Sequence, residues 1–546
     1  LPKGSGWMGN AESQGPWTTP MPWPRLAVIG ILIVVFAVSL AVRWPYMQRA
    51  MGLHHEEGTG RTLVHMTAWW EDGPTSGGYL LRTTLTSPGD KFLSGAADEE
   101  GNAYYYSFPP GHPLWAFLVH RAIGVQPTVM SVRVFNLVLN LLSAVLVYLI
   151  VRELLRKLPD AWSRIAGATA FAAYAFTPIT MWYQSNSYTT ASAVQPFFLL
   201  ALYAATRAYR EGRWGRYAIA GVGAATFFMA YTEWLGFAFA GVAVVLALAR
   251  RDDAVMRRIG IAALVGAAAA FGIVVVQYST QLGFAGVFET FAGRYAARSG
   301  LDQAGGHSLL NPASWARLFR IYLSAVSPLA VAALALFAWD RFIGRGKARR
   351  FSAGLAPPAA ILTLAIAPVL VHHAVLFNHT VVHDFDTLKT AVFLSVALGF
   401  LTGKLIARYA AGEAFSPSTA MLGSAALLLV VGGTSVWLFG LANSREYTEP
   451  KKLAEVIAAQ AEDDEVVFIE APAYVPVSIT TYYAGRNWVD WRGDPAATAN
   501  LLARGGQRTG VVFLVDEQLE VLQVGYVGMD GAAYYTKEEA LATLGR

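Results

Sequence analysis

Two adjacent carboxylates, Glu56 and Glu57, stand in the segment LHHEEGTGR just after a long apolar run. A carboxylate beside an apolar surface is partly desolvated, so its pKa rises and it becomes a better acceptor for a hydroxyl proton. The same residues also suit the first turn of a helix beginning near Gly58, where negative charge meets the positive end of the helix dipole. Arg294, in FAGRYAARSG, and Lys389, in DTLKTAVF, offer the complementary chemistry. A cation beside an apolar run is costly without a function or a partner, and either residue there can hold a phosphate. The simpler readings are a surface ion pair for Arg294 and a snorkelling side chain for Lys389. His372, His373, His379 and His383 crowd one segment with Asp384 and Asp386. His379 and His383 are four apart and could share a helical face as metal ligands. No complete metal signature accompanies them, so no metal or other cofactor is expected, with a divalent ion kept as the secondary reading. The chain has no cysteine, which excludes disulfides, thiolate ligands and a cysteine nucleophile.

The elements that must position these groups are set by the bilayer. Of 546 residues 55% are hydrophobic and 14% charged, too apolar for a soluble domain, and the net charge of +5 implies no nucleic acid. Windows of about 19 residues place eleven apolar spans near 25–44, 131–152, 164–183, 189–208, 216–233, 236–250, 257–276, 318–338, 355–376, 386–407 and 420–440. Runs this long and rich in Leu, Ala and Val are helices, because only helices and closed barrels satisfy their backbone in lipid. Short connections alternate in charge. One set carries Arg152, Arg156, Lys157 and Arg164, then Arg207, Arg210, Arg213 and Arg216, then Arg250, Arg251, Arg257 and Arg258. Later members hold Arg341, Arg345, Lys347, Arg349 and Arg350, then Lys404 and Arg408. Basic connections stay cytoplasmic, so the other set faces outward, including 45–130 and 377–385. Glu233, between two of the spans, reads as a solvated turn residue. The Gly/Ser-rich opening of 1–24 is set aside as cytoplasmic, in part a processing remnant.

The outward loop 45–130 is far longer than a connection needs and interleaves aromatics and prolines with ionisable groups. Two amphipathic interfacial helices are expected in it, with Trp69, Trp70 and Trp115 at headgroup level. Pro109 and Pro110 suit a helix start; they could also aim the following helix so that His112 faces a cleft. Residues 445–546 read as a small outward α/β domain, with a helix near Pro450–Ala461, strands EVVFIE and GVVFLV, and a helix in YVPVSITTYYAG.

With HHEEGTGR after the first span, then YYYSFPPGHPLW, AYAFTPITMWYQSNSYTTASAVQPFFLLALYAA, FETFAGRYAARSG and TTYYAGR, the chain resembles the GT-C class of integral membrane glycosyltransferases. The branch it is most similar to contains the dolichyl-phosphate-mannose protein mannosyltransferases and the lipid A aminoarabinose transferases. The resemblance implies an all-α polytopic membrane domain over 25–444 with about eleven helices and a small C-terminal α/β domain over 445–546. It implies an enzyme that moves a sugar from a polyprenyl-phosphate donor to a glycan, lipid or protein acceptor at the outer face of a bacterial inner membrane, inverting the anomeric centre. Glu56 then takes the catalytic acidic position with Glu57 beside it, and the choice between them stays open because the related enzymes carry Asp there. Arg294 falls near the lipid phosphate, helped by Lys389 or Arg61, since Phe108 stands where some relatives have a lysine before the proline pair. His55, Tyr106, Pro109, Pro110, His112, His383 and Asp384 line the substrate cleft in this reading. A glycan ligase or polymerase would look alike, whereas a transporter or flippase needs ionisable or broken helices at the midplane, where these spans are nearly charge-free.

Overall fold

The computed structural model describes residues 25–52, 55–85, 98–210, 215–301, 306–342, 359–410, 417–444, 447–463 and 465–543. The segment 1–24, Arg213 and the basic loop residues Arg345, Lys347, Arg349 and Arg350 lie outside them. The chain is mainly helical. Helices α1 (Arg25–Met47), α4 (Val129–Leu154), α10 (Ala254–Ser299), α11 (Pro312–Phe342), α14 (Leu388–Ala410) and α15 (Pro417–Ala442) are the described ones long and apolar enough to cross a bilayer, which makes this an integral membrane protein. Between them lie α5 (Asp160–Ala175), α6 (Pro178–Tyr183), α7 (Thr190–Ala208), α8 (Gly215–Thr232), α9 (Leu235–Ala249), α12 (Ala359–Val375) and α13 (Phe377–Val382).

Helix α4 shows how the sequence sets the bundle interior. A reciprocal cap between Thr128 and Ser131 starts it. Arg133, Asn136, Asn140 and Ser143 then recur three or four apart, so they share one face, and all four are buried. Asn136 donates to Tyr183 O at 2.6 Å and Asn140 to Gln184 Oε1 at 2.6 Å. These bonds tie α4 to the end of α6, in a setting where an unpaired polar group is expensive.

The described part of the 45–130 loop contains α2 (Glu57–Asp72) and α3 (Gly111–Ile123). Trp69 is buried in the protein, its indole donating to Leu80 O at 3.1 Å. Pro110 caps α3, and Gly111 lies so close to α8 that a Cβ there would stand 2.4 Å from Tyr231 O. Helix α10 changes direction at Gly283, whose φ of +67° suits glycine, and the part beyond it carries Arg294 and Arg298.

The tail holds α16 (Glu449–Gln460), β1 (Glu465–Glu470), α17 (Val477–Ala484), β2 (Val489–Asp490), α18 (Pro495–Gly505), β3 (Thr509–Val515), β4 (Val521–Val527), β5 (Ala533–Tyr534) and α19 (Lys537–Leu541). Its sheet order is β2-β1-β3-β4-β5, parallel from β2 to β3 and antiparallel beyond. Alternate residues of β1 and β3 feed two cores: Val467, Ile469, Val511 and Phe513 pack with Leu453 and Ile457 of α16, while Val466, Phe468 and Val512 pack with Leu502 of α18. Burial on both faces explains why these strands read as continuous apolar runs.

The tail docks on the 45–130 loop through α17. Tyr483 Oη accepts from Met51 N at 2.9 Å, and Gly60 of α2 lets Ile479 approach so closely that a Cβ would lie 2.9 Å from Ile479 N.

Candidate active site

A polar cavity of about 420 Å³ lies where α2, the stretch before α3, the far part of α10 and α13 converge. His55, Glu57 and Arg61 form one part of its wall, Tyr105, Phe108 and His112 another, and Arg294, Arg298, His379 and His383 a third. A second, mainly apolar groove of about 370 Å³ runs between α9, α10 and α12, lined by Trp234, Phe237, Phe291, Val371 and Leu376 among others. Ser107, Arg294 and Arg298 border both spaces, so the arginines stand where an apolar passage meets a polar chamber.

Arg61 is seated over the Tyr105 ring, its guanidinium carbon 4.6 Å from the centroid, and Arg298 over Phe108 at 4.0 Å. Stacking on aromatic faces holds each guanidinium while keeping its donors available to an anion. Three of the wall histidines, His112, His379 and His383, are disfavoured as cations. Burial drives His112 and His379 well below the usual imidazole range, and burial followed by the neighbouring His55 lowers His383 to about 4.

The two acidic loop residues have separate fates. Glu56 is fully buried, accepts from Arg49 at 2.8 Å, from Arg133 at 2.9 Å and from Gly52 N at 2.9 Å, and does not border the cavity. Arg133 also donates to Met47 O at 2.7 Å and Arg49 O at 2.6 Å, so this pair fastens the end of α1 to α4. Its oxygens face these arginines and not this cavity, so the geometry lends the expected role of Glu56 as base no support. Glu57 does reach the cavity, yet it also accepts from Ser478 N at 2.7 Å and Ile479 N at 3.2 Å at the start of α17.

Lys389 is paired inside the bundle. Its ammonium is fully buried, 2.6 Å from Asp386 Oδ1 and 3.3 Å from Glu233 Oε1, and borders neither space. Glu233 is buried rather than solvated, and His372 Nε2 lies 2.8 Å from its Oε1. Glu233, His372 and Asp386 have ligand atoms close enough to hold a metal ion, but the Lys389 ammonium already supplies the positive charge among them. Tyr106, Pro109 and Pro110 stand behind the wall, Tyr106 packing on Tyr278 with centroids 5.2 Å apart. Asp384 borders the cavity indirectly, with His55 Nε2 3.2 Å from its Oδ1. Tyr183 donates to the same oxygen.

Arg298 was not singled out from the sequence. Its signal was there: it follows Arg294 by four residues, which puts both on one helical face. Tyr183, the last residue of α6, and Thr189, just before α7, carried no comparable sign. Apart from Thr189 and Thr190 at the start of α7, the cavity residues come from the weakly basic set of connections. The opposite end holds pairs such as Arg152 with Asp160 at 2.7 Å.

Residues 107–278 match the family model of the dolichyl-phosphate-mannose-protein mannosyltransferases. Comparison with curated proteins gave no match. Among solved structures the fold is similar to ArnT from Cupriavidus metallidurans bound to undecaprenyl phosphate, with 13% identity and a TM-score of 0.56 over 89% of this chain and 92% of that one. It is similar to the Archaeoglobus fulgidus oligosaccharyltransferase in its apo form, with 11% identity and a TM-score of 0.55 over 90% of this chain and 70% of that one. The archaeal enzyme in complex with an inhibitory peptide and a dolichol-phosphate matches with 11% identity and a TM-score of 0.52, over 89% of this chain and 69% of that one. The chain therefore carries the GT-C fold of membrane glycosyltransferases.

Proposed function

We propose that this protein transfers a sugar from a polyprenyl-phosphate donor to an acceptor hydroxyl at the outer face of the membrane, with inversion at the anomeric carbon. The observation that carries the reading is the shared border of the two spaces. A lipid-linked sugar phosphate has an apolar chain, a negative junction and a polar head in that order. The groove between α9, α10 and α12, the Arg294–Arg298 pair and the polar cavity follow the same order. The fold shared with ArnT bound to undecaprenyl phosphate supports it.

In this reading eleven helices cross the bilayer, the basic connections are cytoplasmic, and the tail domain lies outside above the cavity. Arg294 and Arg298, with Arg61 across the chamber, stabilise charge as it builds on the departing phosphate, an effect worth roughly 10²- to 10³-fold per well-placed donor. No divalent metal is needed, because arginines neutralise the phosphate and Lys389 neutralises the acidic cluster behind it. The acceptor proton leaves to a basic group of the first outward loop on the cavity wall, where Glu57 and His55 stand and Glu56 does not.

Binding tests this directly. A synthetic polyprenyl phosphate added to the protein in lipid nanodiscs is expected to raise its melting temperature, and Arg294→Gln with Arg298→Gln to remove that protection. Equal protection of wild type and the double variant would contradict the placement of the phosphate.

A further inference from the structure

His55 holds a left-handed backbone, φ +58°, that residues with side chains seldom adopt. Such conformations persist where the surroundings over-determine them, often at functional sites. Here the surroundings are specific. Ser187 Oγ donates to the His55 carbonyl at 2.6 Å, and the imidazole meets His383 and Phe385 edge-on, with centroids 5.2 and 5.4 Å away. That pose turns Nε2 toward Asp384 Oδ1 at 3.2 Å while the ring remains on the cavity wall. Asp384 is fixed in turn by the Tyr183 hydroxyl. It also borders a separate groove of about 190 Å³ between α6, α11 and α15, which shares no helix with the apolar groove beside the arginines.

We infer that His55 takes the proton from the acceptor hydroxyl and that Asp384 is the residue that positions it. The inference rests on the glycosyl-transfer reading above. A base backed by an orienting carboxylate is the arrangement that proton transfer from a weakly acidic hydroxyl calls for. Glu57, the other loop candidate, instead has each of its oxygens engaged by a backbone amide of α17, which gives it the work of seating the tail.

His55 and the arginines line one cavity, and the transfer is written as a single displacement. The acceptor oxygen bonds to the anomeric carbon as the bond from that carbon to the phosphate oxygen breaks. The electron pair of that bond leaves with the phosphate, toward the arginines. The acceptor proton passes to the imidazole of His55, whose Nε2 lies beside Asp384, and the imidazolium later returns a proton to water. The groups that face His55 are Asp384 and His383 from the segment after α13 and Tyr183 from α6. Glu57, Arg61, His112, Arg294, Arg298 and His379 share its cavity. The three arginines oppose a further positive charge there, and Asp384, at 3.2 Å, is the anion in contact with the ring that offsets them, with Glu57 on the same wall.

The test uses the full chain in nanodiscs and whichever synthetic polyprenyl-phosphate sugar the wild type turns over. His55→Asn is the chosen variant because asparagine tolerates the left-handed backbone. It is expected to lower kcat about 10²-fold or more while the donor KM and the melting temperature change little. Asp384→Asn is expected to shift the acid limb of the kcat–pH profile down by about one unit, since an imidazolium without its carboxylate forms less readily. Glu57→Gln keeps that limb at the wild-type pH, whatever its rate. Near-wild-type turnover by His55→Asn, or an unmoved acid limb in Asp384→Asn, overturns the inference. Should His55→Asn fail to fold, the Asp384→Asn profile decides alone. A wild type that turns over no donor overturns the transfer reading itself and the inference with it.

Discussion

Replacing Glu56 by glutamine separates a structural carboxylate from a catalytic one. Glu56 is wholly buried and Arg133 is 1% exposed, and the two meet at 2.9 Å. Removing one partner of such a pair strands the other charge, which typically costs about 3–5 kcal/mol. Arg133 keeps its carbonyl partners Met47 and Arg49, and Arg49 is 11% exposed, so the lower end, about 3 kcal/mol, is the expected loss. Thermal melting in nanodiscs reads it, and so does the yield of monodisperse protein. Because the penalty comes from an unpaired guanidinium, Glu56→Leu combined with Arg133→Met is expected to melt above the sum of the single effects. Turnover per folded molecule should fall less than about tenfold, whereas loss of a general base removes 10²- to 10⁴-fold. A Glu56→Gln protein that melts like wild type and has lost more than about 10²-fold in turnover would refute this reasoning.

Three further outcomes are expected. Ala238→Trp fills the apolar groove beside the arginines and should raise the donor KM about tenfold, roughly 1.4 kcal/mol, with kcat little changed, as read by initial rates. His383 titrates at about 4 in the folded chain, below the ordinary imidazole value of about 6.5, so the unfolded chain binds the proton first. That share of stability is complete above about pH 6.5 and is lost as the pH falls toward 4, by roughly 1 kcal/mol per unit after allowance for partial exposure; melting of His383→Gln should depend less on pH over this window. Gly60→Val drives side-chain atoms into the backbone of α17 and should expose the tail to limited proteolysis while the helical core stays protected.

The sequence exposes those parts of the fold that obey a simple solvent rule. Apolar runs mark where the helices lie, with a helix in each of the expected spans, although only six described ones are long and apolar enough to cross a bilayer on their own. The tail strands are legible because burial on both faces leaves continuous runs such as EVVFIE, while the half-exposed VLQVGYV of β4 has no such run and was not read. Partner choice is where the reading failed. Glu56 and Glu57 are neighbours in sequence, yet the helix start between them sends one toward Arg133 and the other toward the cavity and α17. Nothing local shows that Arg133, on another helix, will claim Glu56. Lys389 and Glu233 likewise each read as solitary until α14 and the turn after α8 are brought together. Arg294 needed no distant partner to be placed, and its i+4 neighbour Arg298 was available to the same logic.

The most direct measurement is transfer of labelled sugar from a panel of synthetic polyprenyl-phosphate sugars by the purified chain in nanodiscs, with and without chelator. The account predicts that one donor is consumed, that chelator changes nothing, that the product has the inverted anomeric configuration, and that Arg294→Gln with Arg298→Gln abolishes the reaction. A retained configuration, or consumption that is indifferent to both arginines, would contradict it.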